Sequence, residues 1–141
     1  MLSLTKRVEY AVMAILHMAE AKPSEWCSSK GIAERYQIPA ELLGKVLQAL
    51  ARASIVQSTP GVRGGYRLAR PLESLNLGMV IEAVEGPIRL TDCQANPSDC
   101  DQLCYCTIRE PMQAMQSRLQ QFIYSIPLEQ FRGFSSQGMV R

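Results

Sequence analysis

With 141 residues, 47% of them hydrophobic and only 20% charged, the chain can bury one core of its own without covalent staples. No apolar run is long enough to span a bilayer, and no nucleophile–base or paired-acid set stands at catalytic spacing, which argues against a membrane protein and against an enzyme. The formal charge of +2 hides a division: residues 28–70 carry seven basic and two acidic side chains, whereas residues 71–110 carry two basic and seven acidic ones. A basic region beside an acidic one suits a chain in which only the first meets a polyanion.

At the N-terminus, Lys6 and Arg7 before YAVMAILHMA, with Ala19-Glu20-Ala21 beyond, imitate a signal peptide. Glu9 and His17 interrupt that run, however, and Leu4, Val8, Ala11, Val12, Ile15 and Ala19 follow helical spacing. An amphipathic helix kept in a cytoplasmic protein is expected, where thiols stay reduced. Trp26 is expected to anchor the turn after it, and Cys27 to be a semi-buried packing residue. His17, the only histidine, reads as a surface or core residue before it reads as a ligand.

The segment SSKGIAERYQIPAELLGKVLQALARA predicts two short helices joined by a tight turn. Ser28 or Ser29 caps the first, with Ile32, Ala33 and Tyr36 inward. Ile38-Pro39 redirects the chain, and Pro39 suits the first turn of the second helix. There Leu43, Val46, Leu47 and Leu50 make one apolar face, while Glu41, Lys45, Gln48 and Arg52 make a polar stripe opposite. Such a helix can offer its polar face to a major groove, Lys45 and Arg52 holding phosphates or guanine edges and Gln48 reading adenine or positioning the backbone. An ordinary αα-hairpin with a solvated polar face has the same pattern.

The next residues separate the two readings. Ser54-Ile55-Val56-Gln57-Ser58 is rich in strand formers, and PGVRGGYRLAR supplies a Pro-Gly turn, a Gly-Gly pair and a second strand with Tyr66 and Leu68. A helix-turn-helix followed by a hairpin with a basic tip is a winged helix, and Arg63 at that tip is placed to enter a minor groove. No P-loop and no GxGxxG pattern is present. The candidate DNA-facing residues are Ser28, Ser29, Pro39, Ala40, Glu41, Lys45, Gln48 and Arg52, with Arg63, Gly64 and Tyr66 from the wing.

Beyond the wing, LESLNLGMVIEAVEGP predicts a helix from about Asn76 to Glu85 with Leu77, Val80, Ile81 and Val84 inward. Then TDCQANPSDCDQLCYCTIRE holds Cys93, Cys100, Cys104 and Cys106. Soft thiolates favour zinc or iron–sulfur clusters, and a loop can wrap either. Zinc would use all four thiols, although a Cys-x-Cys pair is less usual than Cys-x2-Cys in structural zinc sites. Cys104 and Cys106 are also close enough to act as a redox switch.

Thr107 and Glu110 have the form of a capping box for a last helix, with Pro111 tolerated in its first turn. Ile108, Met112, Met115, Leu119, Phe122 and Ile126 recur at alternating spacings of four and three, a seam along which two helices pack. Gln113, Gln116, Gln120 and Gln121 suit a solvent-facing side of that helix. Pro127 is expected to end it, and the polar tail FRGFSSQGMVR to be loose.

LTKRVEYAVMAILHMA, IAERYQIPAELLGKVLQAL and the wing GVRGGYRLAR together resemble the Rrf2 family of bacterial transcription regulators, over residues 2–122. The resemblance implies a mainly α fold with a small β-hairpin wing. Residues 1–88 would form a winged helix-turn-helix DNA-binding domain, with the helix-turn-helix at about 28–53 and the wing at about 55–70. A cysteine-rich cluster-binding loop (89–106), a dimerisation helix (107–126) and a tail (127–141) would follow. It further implies a homodimer on a pseudo-palindromic double-stranded operator. Cluster-binding members carry three cysteines before the dimer helix, a pattern matched by Cys93, Cys100 and Cys106 with six and five residues between them. Some members add a histidine three residues after the third cysteine; here Arg109 stands there and cannot serve. Others draw a carboxylate from the first helix of the partner subunit, and the matching residue is Glu9. Cys104 is the alternative fourth ligand, and first-helix His17 remains a candidate.

The expected function is a homodimeric transcription regulator, repressor or activator, sensing iron, redox state or nitric oxide through a 2Fe–2S or 4Fe–4S cluster. Alternatives are a regulator of the same fold that uses thiol redox or zinc and no cluster, and a small iron–sulfur carrier or scaffold.

Overall fold

The computed structural model describes residues 2–94, 96, 98 and 100–133. Five helices and one hairpin follow in order: α1 (Lys6–Glu20), α2 (Ser29–Tyr36), α3 (Ala40–Arg52), β1 (Val56–Thr59), β2 (Gly65–Leu68), α4 (Leu77–Glu85) and α5 (Arg109–Tyr124). Short 3-10 turns lie at Leu72–Ser74, Asp92–Gln94 and Leu128–Phe131. The architecture is the expected one, mainly α with a two-stranded antiparallel wing.

Caps set several boundaries. Thr5 Oγ1 accepts from the Val8 amide at α1, Ser28 Oγ from Gly31 at α2, and Asn76 Oδ1 from Met79 at α4. Pro39 stands just before α3 rather than inside its first turn. Ser54 has a φ of 60°, and the Ser54 and Ile55 amides return to the carbonyls of Ala51 and Leu50. That left-handed turn closes α3 and delays the first strand to Val56, two residues later than the strand-forming run suggests.

α1, α2, α3 and α4 pack around one core. Leu43, Val46, Leu47 and Leu50 of α3 are all fully buried, as are Ala11, Ala14 and Ile15 of α1 and Val80 of α4. Each large apolar side chain so buried contributes on the order of 1.5–3 kcal/mol. Leu4, expected inward, is exposed ahead of α1, and Val12 and Ala19 are half-buried; Met18 takes their place in the core. Across α1 and α2, His17 Nδ1 lies 2.9 Å from the Tyr36 hydroxyl, the rings meeting edge to face.

The wing pairs Val56 with Leu68 and Thr59 with Gly65. Cys27, buried rather than semi-buried, extends it: its amide donates to Tyr66 O and its carbonyl accepts from the Tyr66 amide, both at 2.8 Å. This two-way bridge fastens the wing to the start of the helix-turn-helix. Gly65 permits it, because a Cβ there would lie 2.3 Å from the Cys27 carbonyl oxygen, at a φ of 150°.

α5 differs most from expectation. Thr107 is not its cap: the helix starts at Arg109, flanked by Ile108 with no side-chain cap bond, and ends at Tyr124, ahead of Pro127. The seam therefore overruns the helix at both ends. Ile108, Met115 and Phe122 are exposed, Met112, Leu119 and Ile126 half-buried. The exposed residues form one row of the seam, at intervals of seven, and the half-buried ones form the other, so the chain itself covers one row and leaves the other to solvent. The inward stripe runs instead through Met112, Gln116, Leu119, Gln120 and Ile123. Tyr124 lies across Gly78 of α4, and burial together with a hydrogen bond to Glu82 pushes its hydroxyl pKa up to about 12. After α5, Leu77 N donates to Ile126 O and Leu128 N to Leu75 O, tying the chain back to the head. The expected loose tail falls largely on residues 134–141, which lie outside the described residues.

Two outcomes follow for stability. Gly65→Ala should lower the unfolding free energy by about 2 kcal/mol or more, seen as a lower urea midpoint, because its Cβ meets backbone that cannot yield. Burial, and secondarily Arg35, holds the His17 pKa below its usual value. As pH falls below about 6.5 the unfolded chain protonates first, so stability is full above that pH and is lost on acidification. His17→Gln should show a smaller fall in Tm on acidification than the native chain.

Candidate functional site

The first candidate surface is the helix-turn-helix and its wing. Pro39, Ala40, Glu41, Lys45, Gln48 and Arg52 are all exposed along α3, on the side away from the core. Lys45 Nζ lies 3.7 Å from Glu41. So exposed a pair is weak in water, and phosphate can compete for the lysine. Ser28 is exposed and occupied as the α2 cap; Ser29 is half-buried. At the wing tip the Gly64 amide donates to Gly61 O at 3.0 Å, so Val62 and Arg63 form the corner of a turn, both exposed. Gly64 closes that turn, since a Cβ would lie 2.2 Å from Thr59 O. Tyr66 is half-buried against the core, leaving less of its ring for a ligand than a tip position would.

Arg67 also belongs here, although its type alone did not single it out. Its guanidinium lies 4.2 Å from the centre of the Trp26 ring, and its Nε donates to Gln57 at 3.2 Å. Trp26 is thereby tied to the wing. The cross-strand pairing of Gln57 with Arg67 was a signal in the hairpin register.

The second candidate surface is the cysteine loop. All five cysteines are free; Cys93 and Cys100 are half-buried, Cys104 and Cys106 exposed. Cys93 and Cys106 line one small cavity of about 70 Å³ at the start of α5, with Thr91, Arg109 and Met112 also on its wall. Thr91 Oγ1 lies 3.3 Å from Cys93 Sγ. Cys100 lies outside that cavity, its thiol 4.0 Å from Gln102 Oε1. Among the described residues, no three His, Cys, Asp or Glu side chains converge to hold a metal ion. The thiol chemistry and the Cys93–Cys106 pair fit a soft metal or cluster. Glu9 is engaged with Lys6 at 2.7 Å within its own chain and does not line the cavity. His17 is hydrogen-bonded to Tyr36 and does not line the cavity. Cys27 is buried, and burial pushes its thiol pKa up, which suits a packing role.

Of the four glutamines expected to face solvent, Gln113 and Gln121 are exposed, whereas Gln116 is buried and Gln120 half-buried. Gln116 is only 9% exposed, the one buried polar or charged residue among those described. Its Oε1 accepts from the Leu90 amide at 2.7 Å, and its Nε2 donates to Ile88 O. Gln120 Nε2 also donates to Ile88 O, at 3.3 Å, and Gln94 joins the Leu90 amide to the Met112 carbonyl at 3.4 and 3.3 Å. The signal available was spacing: Met112, Gln116, Gln120 and Ile123 fall on one helical face.

No helix among the described residues is long and apolar enough to cross a membrane. A sequence profile of the Rrf2 family, described as iron-dependent transcriptional regulators, matches residues 4–132. The transcriptional regulator IscR of Vibrio campbellii is 32% identical over 127 residues, 90% of this chain and 75% of that one. NsrR of Oceanobacillus iheyensis is 33% identical over 92 residues, 65% of this chain and 63% of its own length. The matched part spans 57% to 63% of the length of some relatives. In fold, the chain superimposes on CymR, the global cysteine regulator of B. subtilis, with a TM-score of 0.69 at 20% identity, covering 96% of this chain and 99% of that one. Winged-helix geometry, an exposed α3 stripe and these matches agree: the chain belongs to the Rrf2 family of DNA-binding transcription regulators, and is not an enzyme.

Proposed function

We propose that this regulator works as a homodimer whose cysteine loop holds an iron–sulfur cluster and sets operator affinity. The observation that carries the reading is the placing of Cys93 and Cys106 on one cavity wall beside the N-terminus of α5. Cys93, Cys100 and Cys106 would be the ligands from this chain, with Glu9 of a second copy or Cys104 as the fourth. When bound, a cluster supplies a centre that oxygen, nitric oxide or iron limitation can alter. The residues of the chain do the rest. Lys45, Arg52 and Arg63 bind phosphate or base edges, and Gln48 faces the groove. The exposed Ile108, Met115 and Phe122 offer an apolar strip to the same strip on a partner, and a two-fold axis would then set the half-site spacing. The acidic loop need not approach DNA.

A second reading keeps the fold and replaces the cluster by zinc or a thiol switch. It is favoured by the exposure of both Cys104 and Cys106, with only Tyr105 between them and both thiols free.

Protein isolated without oxygen should be coloured and should contain iron and sulfide; a colourless, zinc-loaded product would rule the cluster out. Glu9→Ala should change the visible spectrum or shorten the life of the cluster, and an unchanged spectrum removes Glu9 from the ligand set. In DNA titrations, Lys45→Ala and Arg63→Ala should each weaken binding and lower the slope of log K against log salt by about 1. Affinity and slope both unchanged in these variants would contradict the winged-helix contact scheme.

A further inference from the structure

Gln116 stands apart from every other polar side chain described, being buried and bonded at both ends of its amide to one short backbone segment. That segment, Ile88 to Leu90, leaves α4 through Gly86 and Pro87 and runs directly into Thr91 and Cys93. On one side, Thr91 touches the Cys93 thiol, and Gln94 fastens the next turn of the loop to the Met112 carbonyl of α5. On the other, Ile88 packs against the core, and α4 is in contact with α1, α3 and α5. A displacement at Cys93 therefore has a short mechanical route: loop, glutamine lattice, α4, then the helix that bears the DNA-facing stripe.

We propose that Gln116 is a positioning residue that couples the cysteine loop to the DNA-binding head, by holding Ile88 O and Leu90 N–H against α5. Amide hydrogen bonds suit this role better than apolar contacts, because they are directional and break as a unit when the segment slides. The proposal rests on the loop being the sensing element, but it does not depend on which metal, if any, the loop holds.

Coupling between two binding events is reciprocal, so DNA binding must act back on the loop. The test uses the reduced 141-residue chain, as isolated and again after chelation, with and without a duplex selected from a random pool. The alkylation rate of Cys93 is followed by peptide mass spectrometry. In the native chain, saturating DNA should change that rate by about fivefold or more. Gln116→Met keeps the volume and loses both hydrogen bonds; it should fold, bind the duplex and show a change of less than about twofold. A native-sized change in Gln116→Met, or no change in the native chain, overturns the proposal. Should the variant not fold, amide exchange at Leu90 in the native chain decides: DNA should alter its protection, and equal protection in both states refutes the coupling. A metal-free, colourless protein that still shows the effect would defeat the cluster reading and leave Gln116 in place. A cluster-bearing protein without the effect after chelation would do the reverse.

Discussion

Helix α3 can hold a polar stripe towards solvent only because its opposite face is completely dry. Leu43, Val46, Leu47 and Leu50 are each 0% exposed, and they are covered by α1, α2 and α4. This one-sided burial fixes the helix in rotation, and rotation decides which side chains a groove can meet. Everything else in the head serves that constraint. Ser28 caps α2, Gln37 in the left-handed region turns the chain between the two helices, and Ile38 plugs the turn. The Cys27–Tyr66 bridge then sets the wing beside the same surface, at a distance that only a glycine at position 65 allows.

The cysteine loop is built on different principles. The head is held by apolar burial, which tolerates no displacement without loss of packing. The stem of the loop is held by side-chain amides from Gln94, Gln116 and Gln120 on backbone groups of residues 88–90 and 112. Such a contact set has alternatives: water or other polar groups can replace its members when the segment moves. A rigid reader joined to an adjustable stem is what a regulator requires, since a ligand shifts an equilibrium only through contacts that differ between states.

Much of the head was legible in the sequence because it obeys simple periodicities. The apolar face of α3, the Asn76 cap and the four inward residues of α4 stand where helical spacing and capping chemistry put them. Departures came where backbone conformation overrode side-chain type. Ser54 occupies a left-handed position usually given to glycine, so the strand started late; the Thr107–Glu110 pair had the letters of a capping box but not the geometry. The seam of α5 was readable as apolar, whereas its division into exposed and inward halves depends on which neighbours cover it. Gln116 was misjudged for a plain reason: glutamine in a helix is usually solvated, and the backbone groups it satisfies belong to a loop distant in sequence. The candidate ligands were legible as a motif. Their spatial arrangement was not: Cys93 and Cys106 share one cavity wall and Cys100 lies outside it, which the loop conformation decides and the spacing does not.

The central claim is that the state of the cysteine loop sets DNA affinity. Its most direct test is a comparison of duplex affinity, at one salt concentration, between the anaerobically isolated protein and the same sample stripped of metal and kept reduced. The account predicts dissociation constants that differ by about fivefold or more, within the usual range of allosteric coupling. Equal constants in the two states would contradict it.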